Sequence, residues 1–189
     1  GTSYGVRRQF QTLKVNSKPT SDNGTFTLSE DQRKYFTSSN FSYTDVDGDL
    51  MTAIKITELE AKGRLKYVDA DMSINQTIDI SNINSINFQA LENENGNNYT
   101  TFKFQVFDGA LWSATSYTMT INVISLNDAP VAGDATYSIS ETGTWSGAHT
   151  YDQASDADAG TTLTYSLSDS SVFGIDQSSG LVSLKGTLD

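Results

Sequence analysis

Asp45-Val46-Asp47-Gly48-Asp49 places three carboxylates within five residues, and Asp156-Ala157-Asp158 places two within three. Like charges at this spacing repel, so folding either raises a carboxyl pKa or brings in a cation for the group to share. Hard oxygen donors at alternate positions suit calcium, which takes about six to eight oxygens with flexible geometry, better than magnesium or zinc. The D-x-D-x-D opening of an EF-hand loop is present, but the rest of that loop is not. Counting from Asp45, Leu50 stands where the sharp turn needs Gly, and Ile56 stands where a bidentate Glu is needed. The competing reading is a solvated acidic turn, and it has to explain why the cluster occurs twice.

Other chemistry is scarce. There is no Cys, so disulfides, thiolate metal sites and Cys nucleophiles are excluded together, and the single His149 cannot supply a three-His zinc site. Paired carboxylates can hydrolyse glycosides, but a catalytic pair has no reason to recur along the chain, and the sequence reads as a non-enzyme. With 12 Lys+Arg against 23 Asp+Glu, the net charge of −11 opposes nucleic acid and anionic membrane surfaces. No apolar run approaches the ~18 residues of a membrane span, so no membrane insertion is expected. Trp112 and Trp145 are the candidates for stacking on a sugar, with core or edge packing as the alternative. Four Asn-x-Ser/Thr sequons carry little weight in so Asn- and Thr-rich a chain.

The chain repeats at an offset of 111 residues. Pro19 falls on Pro130, Asn16 on Asn127, Glu30 on Glu141, Asp45 on Asp156 and Asp47 on Asp158. That period is too long for a helical or leucine-rich solenoid and fits one β-sandwich domain. It divides the chain into residues 1–18, the closing strand of a preceding domain; 19–128, a complete domain; and 129–189, the N-terminal part of a second. The absence of a leader at Gly1 adds to the expectation of a piece of a longer protein.

Apolar alternation marks the strands: Phe102, Phe104 and Val106; Tyr117, Met119, Ile121 and Val123; Ile54 and Ile56; Ile78 and Ile80; Ile86 and Phe88; Leu163, Tyr165 and Leu167. Lys62-Gly63, Asn95-Gly96 and Asp108-Gly109 supply turns between them. For Ile80–Ile86 a short helical turn is the alternative to strand. The reading is all-β.

Several segments in this order carry a family resemblance: Ser29-Glu30-Asp31, Phe41 to Asp49, Phe102 to Gly109, and Asn127-Asp128-Ala129-Pro130. The second half adds Asp156-Ala157-Asp158, Leu163 to Leu167, Phe173 to Asp176, Ser179 to Leu184 and Leu188-Asp189. Together they resemble the tandem cadherin-like repeats of large bacterial surface proteins and adhesins. The resemblance implies tandem Ig-like, cadherin-like β-sandwich domains of Greek-key topology, one complete and one truncated. It also implies calcium where consecutive domains meet. By that resemblance the metal ligands are Glu30, Glu92 and Glu94 in Leu91-Glu92-Asn93-Glu94, Asn127 and Asp128 of the linker, and Asp156 and Asp158. Asp45, Asp47 and Glu141 are their counterparts in neighbouring sites, and Asp31, Asp49 and Asp108 are weaker additions. At Asn16-Ser17-Lys18-Pro19 a carboxylate is lost and a cation gained, which predicts weaker calcium binding or none.

The expected function is a calcium-stabilised extracellular spacer or adhesion module on a bacterial surface. Its partners are neighbouring domains of the same parent chain, with homophilic or glycan contact as a further option. Extracellular modules of this kind hold calcium at ~10⁻⁴ to 10⁻³ M, a range met outside cells. The alternatives are a glycan-binding or self-binding module and an accessory module of a secreted polysaccharide-degrading enzyme. Unpaired strand edges at either end add the expectation that one copy completes another.

Overall fold

Alternation of apolar and polar residues gives the two longest strands of the computed structural model, which describes residues 14–134, 136, 149–150 and 154–186. The chain divides into two units, one reaching to Ser125 and the other starting at Leu126.

In the first unit one sheet holds β1 (Gly24–Ser29), β3 (Ala53–Glu58), β6 (Thr77–Asp79), β8 (Gly96–Phe107) and β9 (Tyr117–Ile124), ordered β1-β9-β8-β3-β6. A second sheet holds β2 (Arg33–Tyr35), β4 (Arg64–Tyr67), β5 (Ala70–Asp71) and β7 (Ile86–Gln89), ordered β2-β7-β4-β5. Most neighbours are antiparallel, but β1 runs parallel to β9, with Phe26 opposite Ile121 and Leu28 opposite Val123.

One core lies between the two sheets. Phe102, Phe104 and Val106 of β8, Met119 and Ile121 of β9 and Ile54 and Ile56 of β3 meet Leu65, Ile86 and Phe88 of the other sheet, all fully buried. Phe36 anchors it, stacked on Phe26 at 3.9 Å and edge-on to Phe102 at 5.7 Å. The short helical turn expected near residue 80 is a 3₁₀ turn, Ile80–Ser85, and it buries Ile83. All-β architecture is therefore established for this unit.

In the second unit β10 (Val131–Ala132) pairs with β12 (Ala154–Ser155). β11 (His149–Thr150) and β13 (Phe173–Ile175) flank β14 (Leu181–Leu184). The strand expected at Leu163–Leu167 is not formed. Those residues alternate between half-buried and exposed as a strand would, yet they carry no ladder. At the 111-residue offset their counterpart is β3, which pairs with both β8 and β6. Tyr165 donates its N–H to the carbonyl of Gln177 at 3.0 Å, and among the described residues no named strand pairs with this segment. Glu141, Trp145 and Asp189, and most of the expected closing strand 1–18, lie outside the described residues. Residues 14–18 are irregular. No described helix is long and apolar enough to cross a membrane.

Candidate functional site

The two ends of β8 separate the acidic residues of the first unit into two groups. A 12-residue strand spans roughly 40 Å. Asp108 lies just past one end, with Asp45, Asp47 and Asp49; Asn95 lies just before the other, with Glu30. No single ion can serve both groups.

At the Asp108 end the loop is built on Asp45. Its Oδ1 accepts the backbone N–H of Asp47 at 2.7 Å and of Asp49 at 3.3 Å, and the turn passes through Gly48 at φ 81°, a conformation that favours glycine. Asp45, Asp47 and Asp49 each offer an oxygen within 4.8 Å of the others. Oδ2 of Asp45 is buried and has no hydrogen-bond partner. Asp47 has a side chain 7% exposed. Its Oδ2 accepts the N–H of Ser17 at 2.6 Å, and its Oδ1 faces the ammonium of Lys14 at 2.9 Å. The Lys14 ammonium, followed by the Ser17 N–H, holds the Asp47 carboxyl below the usual carboxylate range, and Asp47 in turn raises Lys14. Lys18, the cation expected to weaken metal binding, is exposed; the ammonium that reaches the cluster is that of Lys14.

Asp108 contributes more than the hairpin turn its Asp-Gly pair suggested. Its Oδ1 accepts the N–H groups of Ala110 and Leu111, both at 2.6 Å, and its Oδ2 accepts the Asn16 amide at 2.9 Å. Burial pushes its pKa up, but these donors outweigh burial and hold it low. Tyr43 is pushed up to about 12, first by burial and then by the charges of Asp45, Asp108 and Asp49. The sequence showed Asp108 only as part of an Asp-Gly turn, because its partner Asn16 lies 92 residues away; nothing local marked Lys14.

At the opposite end Glu30 is 1% exposed and accepts from the Asn95 amide at 3.0 Å, while Asp31 accepts the N–H of Asn93. Glu94 is engaged by the Tyr99 hydroxyl at 2.7 Å and by Lys62 at 3.4 Å, and the Tyr99 bond is the larger cause of its lowered pKa. Glu92 is exposed. The structure thus gathers Glu30 and Asn95, and separately Glu94, Tyr99 and Lys62.

The second unit repeats two side-chain bonds of the first loop. Asp156 Oδ1 accepts the N–H of Asp158 at 2.8 Å, as Asp45 does that of Asp47. Asp158 Oδ2 accepts the N–H of Asp128 at 2.7 Å, as Asp47 does that of Ser17. The bridge between Thr20 and Thr44 recurs as Val131 opposite Ser155. Each counterpart lies 111 residues further on. Asn127 differs from Asn16, since its amide turns to the carbonyl of Asp128 at 2.7 Å. Among the described residues the acidic triad whose oxygens come within 4.8 Å of one another is Asp45, Asp47 and Asp49, not Asp128, Asp156 and Asp158; from Leu126 onward the sequence holds one Lys or Arg, Lys185. That ammonium is bonded to the carbonyl of Ser170 at 2.9 Å.

Trp112 is not a bare stacking platform. Phe107 stacks on its ring at 4.6 Å and the Lys55 ammonium lies 4.4 Å from its centroid, so its faces are engaged within the protein. No known family matches this chain, and no curated protein matches it.

Proposed function

We propose that this chain is a stretch of an extracellular rod of tandem Ig-like, cadherin-like domains, stiffened by calcium, that serves as a spacer or adhesion module at a bacterial surface and performs no catalysis. The observation that supports this reading is the recurrence, at a domain-sized offset, of one carboxylate loop clasping the peptide N–H of the incoming linker. A solvated acidic turn has no reason to hold the linker twice in the same way.

The donor set fits calcium. Asp156 and Asp158 offer carboxylate oxygens, the hard donors this ion takes, as do their counterparts Asp45 and Asp47, whose oxygens with that of Asp49 lie within 4.8 Å of one another. Calcium would supply positive charge beside these carboxylates; Asp47 and Asp158 hold the linker N–H groups of Ser17 and Asp128. Glu30, Glu92, Glu94, Asn127 and Glu141 enter this reading as ligands implied by the family resemblance.

The test is a thermal melt in calcium and in chelator, comparing the chain with its Asp156→Ala/Asp158→Ala variant. At free calcium about tenfold above Kd, one site adds ~1.4 kcal/mol of stability. The chain is expected to melt higher in calcium and the double variant to show no difference; equal melting of the chain in both media would reject the reading.

A further inference from the structure

We infer that Asn95 is a site of spontaneous covalent modification: attack by the backbone nitrogen of Gly96 turns its amide into a carboxylate facing the buried Glu30, a one-way change that loosens this end of the first unit.

The sequence contains two Asn-Gly pairs, Asn23-Gly24 and Asn95-Gly96. In such a pair the nitrogen of the following residue can close a five-membered ring on the side-chain carbonyl carbon, and glycine, with no Cβ, hinders that approach least. The structure separates the two pairs. Asn23 is fastened, because its Oδ1 accepts the N–H of Thr118 at 2.8 Å and Gly24 begins an unbroken ladder with β9 that runs to Ser29. A Cβ at Gly24 would meet the Met119 side chain and the carbonyl of Asn40, so the backbone there has little room to move. Asn95 is exposed and lies in the irregular stretch before β8. The ladder of β8 with β9 is interrupted between Gly96 and Thr100. Among the described residues, its chain neighbours aside, nothing lies within 4 Å of a Cβ built at Gly96. Backbone held this loosely reaches the geometry of ring closure at a smaller free-energy cost.

The step needs only water. The Gly96 nitrogen gives up its proton to water and bonds to Cγ of Asn95; the Cγ–Nδ2 bond breaks, and the departing nitrogen takes a proton from water and leaves as ammonia. Water then opens the ring at either carbonyl, giving Asp or its β-linked isomer. Nothing is oxidised or reduced.

The product matters because of what the amide holds. Nδ2 of Asn95 donates to Oε2 of Glu30 at 3.0 Å, and Glu30 is 1% exposed. Either product exchanges that donor for a second carboxylate, and a buried carboxylate that loses a donor and gains a like charge destabilises the fold around it.

The experiment incubates the full chain in neutral buffer made with heavy-oxygen water and containing chelator, which keeps the outcome independent of the calcium reading. Peptide mapping follows the label at both pairs. Label is expected at Asn95 at least about tenfold faster than at Asn23. Denaturant midpoints are then compared for the fresh chain, the aged chain, Asn95→Asp and Asn95→Gln. The aged chain and Asn95→Asp are expected to unfold at lower denaturant than the fresh chain. Asn95→Gln, whose longer side chain closes a six-membered ring far more slowly, is expected to gain no label at that position and to keep its own midpoint through the incubation. No label at Asn95, label at Asn23 as fast or faster, or an Asn95→Asp midpoint equal to that of the fresh chain would overturn the inference.

Discussion

The backbone N–H of Ser17 donates to Oδ2 of Asp47 at 2.6 Å, joining two residues 30 positions apart. The same bond joins Asp128 to Asp158, again 30 positions apart, at 2.7 Å. In both places an Asp two residues earlier holds the acceptor's own N–H, so the acceptor's backbone is fixed before the linker arrives. A linker held at its peptide group is constrained whatever its side chains are.

Asp108 and Asn16 supply a second fastening in the first unit. Asp108→Ala removes the acceptor of three donors, two of them the N–H groups that shape its own turn. A loss of about 1–3 kcal/mol in chemical denaturation is expected. Asn16→Ala removes only the linker's bond, leaves the turn intact, and is expected to cost no more than about 1.5 kcal/mol. Equal losses for the two variants would mean that the turn bonds contribute nothing.

Acidification acts on the first unit in two opposite senses. Asp47 and Asp108 have folded pKa values below the ordinary carboxylate value, so their stabilisation is complete above about pH 4 and is lost as pH falls through the lowered values. Glu60 is opposite. Burial raises its pKa, with Oε1 accepting the N–H of Leu65 at 2.7 Å and Oε2 buried without a partner. Its ionised form costs stability at neutral pH, and that cost is relieved as pH falls through its raised value toward the ordinary one. Melting followed from pH 7 to pH 2 should therefore rise slightly before it falls. Glu60→Gln is expected to abolish the rise and keep the fall.

Gly63 has φ 74°, and a Cβ there would run into the Phe88 ring and close on the carbonyl of Gln89 at 2.8 Å. Both the backbone conformation and the packing demand glycine. Gly63→Ala is expected to cost more than about 1 kcal/mol. Gly48→Ala shares the positive φ but meets nothing within 4 Å, so it should cost less. Reversal of that order would show that the Lys62-Gly63 turn yields freely.

The strands of the first unit were legible because their burial alternates: Phe102, Phe104 and Val106 point into the core, and Lys103 and Gln105 do not. The acidic clusters were legible because the repeat showed them twice. Pairings over long sequence distances were not. Nothing near Lys14 in the sequence announces Asp47, and nothing in Asp108-Gly109 distinguishes a buried, three-fold hydrogen-bonded carboxylate from a hairpin tip. Leu163–Leu167 shows the converse, since its alternation is that of a strand while its backbone, with Tyr165 bonded to Gln177, forms no ladder. Local pattern reports which face a residue prefers; the partner that meets that face is set elsewhere in the chain.

Equilibrium dialysis of the chain against about 1 mM free calcium, beside its Asp156→Asn/Asp158→Asn variant, tests the central claim most directly. The account predicts at least one ion taken up per chain and its loss in the variant. No uptake at that concentration, or equal uptake by both proteins, would contradict it.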